Sequence, residues 1–184
     1  MKIIIFVLFT MVISSCTVQF TSKMKDELES SNIDIKKIQF YNSHSFALQR
    51  ELASSETGIE KGKIKTQEGK RVEIVNFPLK KPAICDSVSD NTLFILFEYG
   101  ENKRIPFVSD SDNECYSLVT PGSIDTPLDI KDYTRAGYKF YGTIKYDGKD
   151  YYYGYSKKPK LKVKKNQVEK VLRESRAVKG IRIN

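Results

Sequence analysis

Tryptophan is absent from this chain of 184 residues, histidine occurs once, at His44, and cysteine occurs three times. Each scarcity removes a class of chemistry. Any histidine-based general acid or base, and any nucleophile activated by one, has to use His44. Neither His-Glu-x-x-His nor a Gly-x-Ser-x-Gly elbow is present. Cys85 and Cys115 belong to no C-x-x-C pair, so zinc and thioredoxin-like redox sites lack their usual spacing. The stretch "SDSDNEC" sets Asp110, Asp112 and Glu114 at alternate positions, which suits a hard cation. An EF-hand starting at Asp110 needs glycine sixth and glutamate twelfth, and the chain has Cys115 and Pro121 there. The stretch therefore reads as a solvated acidic loop. No catalytic residue, no metal ligand and no cofactor is expected, and the chain does not read as an enzyme.

Long hydrophobic runs are also scarce. Ile3 to Ile13 is almost entirely aliphatic or aromatic, with Thr10 interrupting it, and the next longest run is only Leu93 to Phe97. A membrane-spanning helix needs about 20 apolar residues, so neither run spans. Lys2 followed by a short apolar region and then small residues has the layout of a secretory signal peptide. Its end, Ile13-Ser14-Ser15-Cys16, is an aliphatic residue, two small residues and a cysteine. That pattern resembles the lipobox of bacterial lipoproteins, over the first sixteen residues only. The resemblance implies removal of residues 1–15, a diacylglycerol on the Cys16 sulfur and acylation of the new amine. It also implies a cell-envelope location with the membrane reached through the Cys16 lipid. Asp after the cysteine favours inner-membrane retention in that family; Thr17 stands there instead, which leans towards the outer membrane in a cell that has one. Two or three acyl chains make release slow, at about 0.8 kcal/mol per buried CH₂.

Lipid on Cys16 leaves Cys85 and Cys115, and an oxidising compartment would let them pair. Closing that loop of about 30 residues would stabilise by about 3–4 kcal/mol in the chain-entropy account. Two separate thiols are the alternative. The net charge of +8 is concentrated at one end: residues 157–184 hold 11 basic and 2 acidic side chains, whereas residues 16–156 are slightly acidic. Beside a bilayer, "KKPKLKVKKNQVEK" can attract anionic head groups or acidic envelope polymers, or it is simply a solvated strand and helix. An exported lipoprotein seldom meets nucleic acid, and no RNA-recognition fingerprint is present.

The rest of the chain is read for period. Residues 16–35 are polar and mixed in charge, and read as a tether with a helical turn at Met24–Glu29. From Lys36 the apolar period becomes two. "KIQFYNSHSFALQR" gives two strands, or one bent where Asn42 and His44 break the apolar face. "KIKTQEGKRVEIVNF" reads as a hairpin, and "TLFILFEY" as a central strand covered on both sides. Pro106 demotes "RIPF" to an edge or a strand end, and "CYSLV" is a further short strand. In "YKFYGTIKYDGKDYYYGY", Asp147-Gly148 predicts a two-residue type I′ hairpin. The implied pairs are Ile144 with Tyr151, Gly142 with Tyr153 and Phe140 with Tyr155, backed by Lys145 with Asp150 and Thr143 with Tyr152. "KLKVK" is a strand, and Asn166 with Glu169 approximates a capping box for a helix over about 166–177. The sum is a mainly β domain over 36–184, a small antiparallel barrel or sandwich with one C-terminal helix.

Eight of the eleven tyrosines lie between Tyr133 and Tyr155. By strand parity Tyr141 and Tyr152 fall on the polar face of the hairpin, where core packing does not account for them. They are the candidate binding surface, since a tyrosine offers an apolar body with a polar tip. The sequence thus points to a lipid-anchored envelope protein acting as a non-enzymatic binding or accessory module for a protein or envelope partner. The alternative is a carbohydrate-binding surface lipoprotein that uses its exposed tyrosines on a glycan.

Overall fold

Among the described residues, twelve strands form two sheets in which every ladder is antiparallel. The computed structural model describes residues 17–53, 63–67, 70–109, 114–119, 128 and 137–175, with backbone alone at 63–67, 70, 171 and 173–175. The first sheet contains β1 (Thr17–Gln19), β2 (Gln39–Asn42), β6 (Pro82–Ser89), β7 (Thr92–Leu96), β8 (Arg104–Ser109), β9 (Tyr116–Leu118) and β12 (Leu161–Lys164), in the order β1-β12-β2-β6-β7-β8-β9. The second contains β3 (Phe46–Glu51), β4 (Lys63–Gln67), β5 (Lys70–Phe77), β10 (Lys139–Tyr146) and β11 (Lys149–Tyr155), in the order β10-β11-β3-β5-β4. Helix α2 (Lys165–Ser175) follows β12 directly. The architecture is therefore mainly β, a sandwich in which neither sheet closes into a barrel. Isolated bridges Thr21↔Cys115 and Ser117↔Lys160 do tie the far edge strand β9 back to the chain beside β1 and β12. An edge covered in this way offers no free ladder to another chain.

Why the strands divide as they do is local chemistry. "QFYN" and "FALQR" share a period but lie in different sheets, with Ser43–Ser45 crossing between them. Asn42, fully buried, holds that crossing: its Nδ2 donates to the carbonyls of His44 (2.8 Å) and Pro78 (2.9 Å), and its Oδ1 accepts from Lys81 N (2.7 Å). Strand β8 is interior, between β7 and β9, so Pro106 sits in neither an edge strand nor a strand end. The antiparallel alternation explains the tolerance. Ser109 N donates towards the β7 side, to Asn91 O at 2.8 Å, so even-numbered residues of β8 turn towards β9. The β9 ladder begins opposite Phe107, and the missing N–H of Pro106 falls just beyond it.

The N-terminal segment corrects the tether expectation. Residues 17–19 are a strand paired with β12, Thr17 opposite Lys164. Ser22–Ser30 is a helix, α1, whose first turn is capped by Thr21 Oγ1 accepting from Met24 N at 3.2 Å. Phe20 and Leu28 are completely buried, and Ile35 nearly so. Three apolar anchors in an otherwise polar stretch are enough to bind it into the core.

That core lies between the sheets. Phe46 and Phe77 stack at 4.3 Å, and Phe97 meets both edge-on at 5.7 and 5.3 Å. The β10–β11 hairpin has the expected turn, with φ of 52° at Asp147 and 73° at Gly148, and pairs in the expected register from Gly142 to Tyr146. A bulge between Phe140 and Gly142 then shifts the ladder, so Phe140 faces Gly154 rather than Tyr155. A Cβ on Gly154 would come within 2.8 Å of the Phe140 ring. The ring thus lies over bare backbone at this pair. Phe140 joins a second apolar cluster with Ala47, Val72 and Ile74, separate from the inter-sheet core.

Candidate functional site

The alternation in "KLKVK" buries Leu161 and Val163 completely and leaves Lys160, Lys162 and Lys164 partly exposed along the opposite face of β12. No carboxylate pairs with these three lysines among the described residues. On one side Lys162 is opposite Gln19 and Lys164 opposite Thr17; on the other, Lys162 is opposite Tyr41. The Lys164 ammonium lies 5.9 Å from the Tyr41 ring centroid. The same face runs on through Tyr41–Pro82, Gln39–Ile84 and Ile84–Leu96. It ends in a shallow cleft of about 170 Å³ bordered by Gln39, Pro82, Ile84, Leu96, Glu98 and Tyr99. Gln39 is fixed there by donating to Ala83 O at 2.6 Å. Glu98 accepts from Lys103 (2.7 Å) and from the Tyr146 hydroxyl (2.8 Å). Tyr99 is 88% exposed. The arrangement is a contact surface: a cationic stripe leading to an amphipathic cleft.

His44 sits behind this stripe. Its Nδ1 is 2.8 Å from Ser43 Oγ, which also accepts from Lys160 N at 2.8 Å. Burial first, and then the Lys157 charge, pushes the histidine pKa below 6.5, which keeps the ring neutral at pH 7. The side-chain charges acting on it are those of Lys157 and Lys162, both cationic.

The two cysteines expected to pair are free and buried. Cys85 lies in β6 and Cys115 just before β9, and their sulfurs have different partners. Cys85 Sγ donates to Ser87 O (3.5 Å) and Cys115 Sγ to Gln19 Oε1 (3.0 Å). Burial pushes the Cys85 thiol up to about 11 and Tyr116 and Tyr151 up to about 12. For such groups the stability gained by staying protonated is fully present below the unfolded pKa. It is lost as pH rises through the folded one. Urea midpoints are therefore expected to fall steadily between about pH 9 and pH 12, and the early part of that fall is expected to shrink in Cys85→Ala.

Tyr141 and Tyr152 do not share a face. The bulge turns Tyr141 inward, where it stacks on Tyr155 at 4.3 Å and packs on the inter-sheet core. Tyr152 packs on the second cluster and borders a polar cleft of about 390 Å³ with Arg50, Glu51, Lys149 and Asp150. Both rings are half-buried. Next to that cleft is a buried group that strand parity missed. Glu73 Oε2 accepts from Arg50 Nε (2.7 Å) and the Tyr151 hydroxyl (2.9 Å). Glu73 is one of two acidic residues in "KRVEIVNF" and its flanks, and its alternation with Val72 and Ile74 was the available signal for its face. Asp110 and Asp112 lie outside the described residues, as does Cys16; among the described residues no His, Cys, Asp or Glu group is arranged to hold a metal. No helix among the described residues is long and apolar enough to cross a membrane. No protein-family model, no curated protein and no solved structure matches the chain.

Proposed function

We propose that this protein is a lipid-anchored component of a bacterial cell envelope, a β-sandwich held at a bilayer by acyl chains on Cys16. It works there as a non-enzymatic accessory module that contacts an envelope protein. One observation carries the reading: the apolar run Ile3–Ile13 closes on Ile13-Ser14-Ser15-Cys16, with polar sequence immediately after. The location leans to the outer membrane because Thr17, not Asp, follows the cysteine. A contact role is supported by a surface that combines a cationic stripe, Tyr41 and an exposed Tyr99. The glycan alternative has less support, because the two tyrosines it needs point to different sides of the sheet.

The test is expression of the full precursor in a bacterium supplied with labelled fatty acid. The mature chain is expected to begin at Cys16, carry label, and partition with detergent. Cys16→Ser is expected to lose the label and leave the membrane fraction. A wild-type mass without acyl groups, or an uncut leader, would overturn the anchor. In-cell cross-linking from Tyr99 is expected to capture an envelope protein; a glycan alone would favour the alternative.

A further inference from the structure

We infer that the outer face of β12 is a docking surface for anionic phospholipid head groups, which lays the domain against the bilayer beside its own anchor. The inference rests on the reading of Cys16 as the lipid-bearing residue. Two observations meet here. Lys160, Lys162 and Lys164 project from one face of one strand, with the Lys157 charge also acting on that neighbourhood through His44. Independently, the ladder register sets Thr17 opposite Lys164. Cys16 is the next residue, one Cα step of about 3.8 Å away. No tether separates lipid from domain, since residues 17–19 are already a strand and Phe20 is already core. A chain anchored at that point brings the β12 edge to the head-group level, within a Debye length of about 10 Å at moderate salt. Three lysines without carboxylate partners among the described residues then face a surface of opposite charge. Tyr41, half-buried between Lys162 and Pro82, adds the amphipathic ring that favours such an interface. An acidic polymer would meet the same charge, but the register with the anchor selects the bilayer.

Each lysine near an anionic surface strengthens binding about fivefold, so the three together give about 100-fold. The experiment uses the mature chain from residue 16 with Cys16→Ser, so that attachment by acyl chains does not mask the weaker term. Sedimentation with phosphatidylcholine vesicles, with and without phosphatidylglycerol, is expected to show binding to the anionic vesicles alone. That binding is expected to disappear near 1 M salt, where screening acts within about 3 Å. Lys160→Gln/Lys162→Gln/Lys164→Gln is expected to lose about 100-fold, whereas the same charge change at Lys139, Lys145 and Lys149 on the other sheet is expected to retain most of the binding. The salt series on the unsubstituted lysines reads the same term without any risk to folding.

Equal binding to neutral and anionic vesicles overturns the inference, as does an equal loss in the two triple variants. If the β12 variant loses binding to dextran sulfate but keeps its binding to vesicles, the stripe serves a polymer and the bilayer surface falls. The anchor is read separately by the mass of the mature wild-type chain. An acylated chain that ignores phosphatidylglycerol breaks the docking surface alone; an unacylated one that selects it breaks the anchor alone.

Discussion

Asn42→Asp is expected to destabilise the domain by about 3 kcal/mol or more, and by more at pH 7 than at pH 4. The side chain is completely buried, and its three hydrogen bonds all reach backbone. Nδ2 donates to His44 O and Pro78 O, and Oδ1 accepts from Lys81 N. Those partners lie on two of the crossings between sheets, β2 to β3 and β5 to β6. Lys80 N also donates to the Asn42 carbonyl, at 3.1 Å. An aspartate replaces the double donor with an acceptor facing two carbonyls, each left unsatisfied at about 1–3 kcal/mol. Desolvation and those carbonyls would raise its pKa above the unfolded value near 3.9. The variant is then least harmed where the carboxyl is protonated in both states. Its penalty grows as pH rises through the folded pKa, because the unfolded chain alone ionises freely. Urea denaturation at the two pH values measures both parts. A loss under 1 kcal/mol at pH 7 would mean that the crossings hold without this amide. Asn42→Ala is expected to fall between the two proteins, since it strands the same backbone groups without adding a charge.

Asn42 also shows how far the sequence could be read. In "KIQFYNSHSFALQR" it interrupts an apolar face, and its polarity marked a break between strands correctly. Its burial was not legible, because the groups that satisfy it lie 36 and 39 residues away in sequence. The β10–β11 hairpin was legible through Asp147-Gly148, whose backbone requirement is local. The bulge at Phe140–Gly142 was not, since period two continues through it on paper and only the ring over Gly154 reveals the shift. That single extra residue moved Tyr141 from the polar face to the core side and separated it from Tyr152. Pro106 was read correctly as a residue without a donor. Its place in an interior strand depends on how short β9 is, which is not a property of its own neighbourhood. The surface at β12 was half legible: alternation in "KLKVK" gave the lysine face, but its meeting with residue 17 joins opposite ends of the chain.

Phe20→Ala is expected to cost about 3–5 kcal/mol, a large fraction of the about 5–15 kcal/mol that holds a typical domain together. Phe20 has no exposed surface, meets Phe40 edge-on at 5.0 Å and lies 5.7 Å from Tyr116. Its backbone joins both ends of the first sheet, N donating to Leu161 O at 2.9 Å and O accepting from Tyr116 N at 3.3 Å. Removing the ring opens a cavity where β1, β9 and β12 converge, so the loss includes the surroundings as well as the side chain. A tether residue, by contrast, would tolerate alanine within about 0.5 kcal/mol, and a urea midpoint unchanged by Phe20→Ala would return residues 17–20 to that role. The same substitution bears on the membrane. On the proposed anchor, once β1 frays from β12 the chain between Cys16 and the remaining fold lengthens towards Ser22, and the lysine face would no longer be held beside the acyl chains. Selective binding by the acylated protein to anionic vesicles is therefore expected to weaken in Phe20→Ala even at temperatures where most of the domain stays folded. Anchoring by the lipid itself is expected to persist.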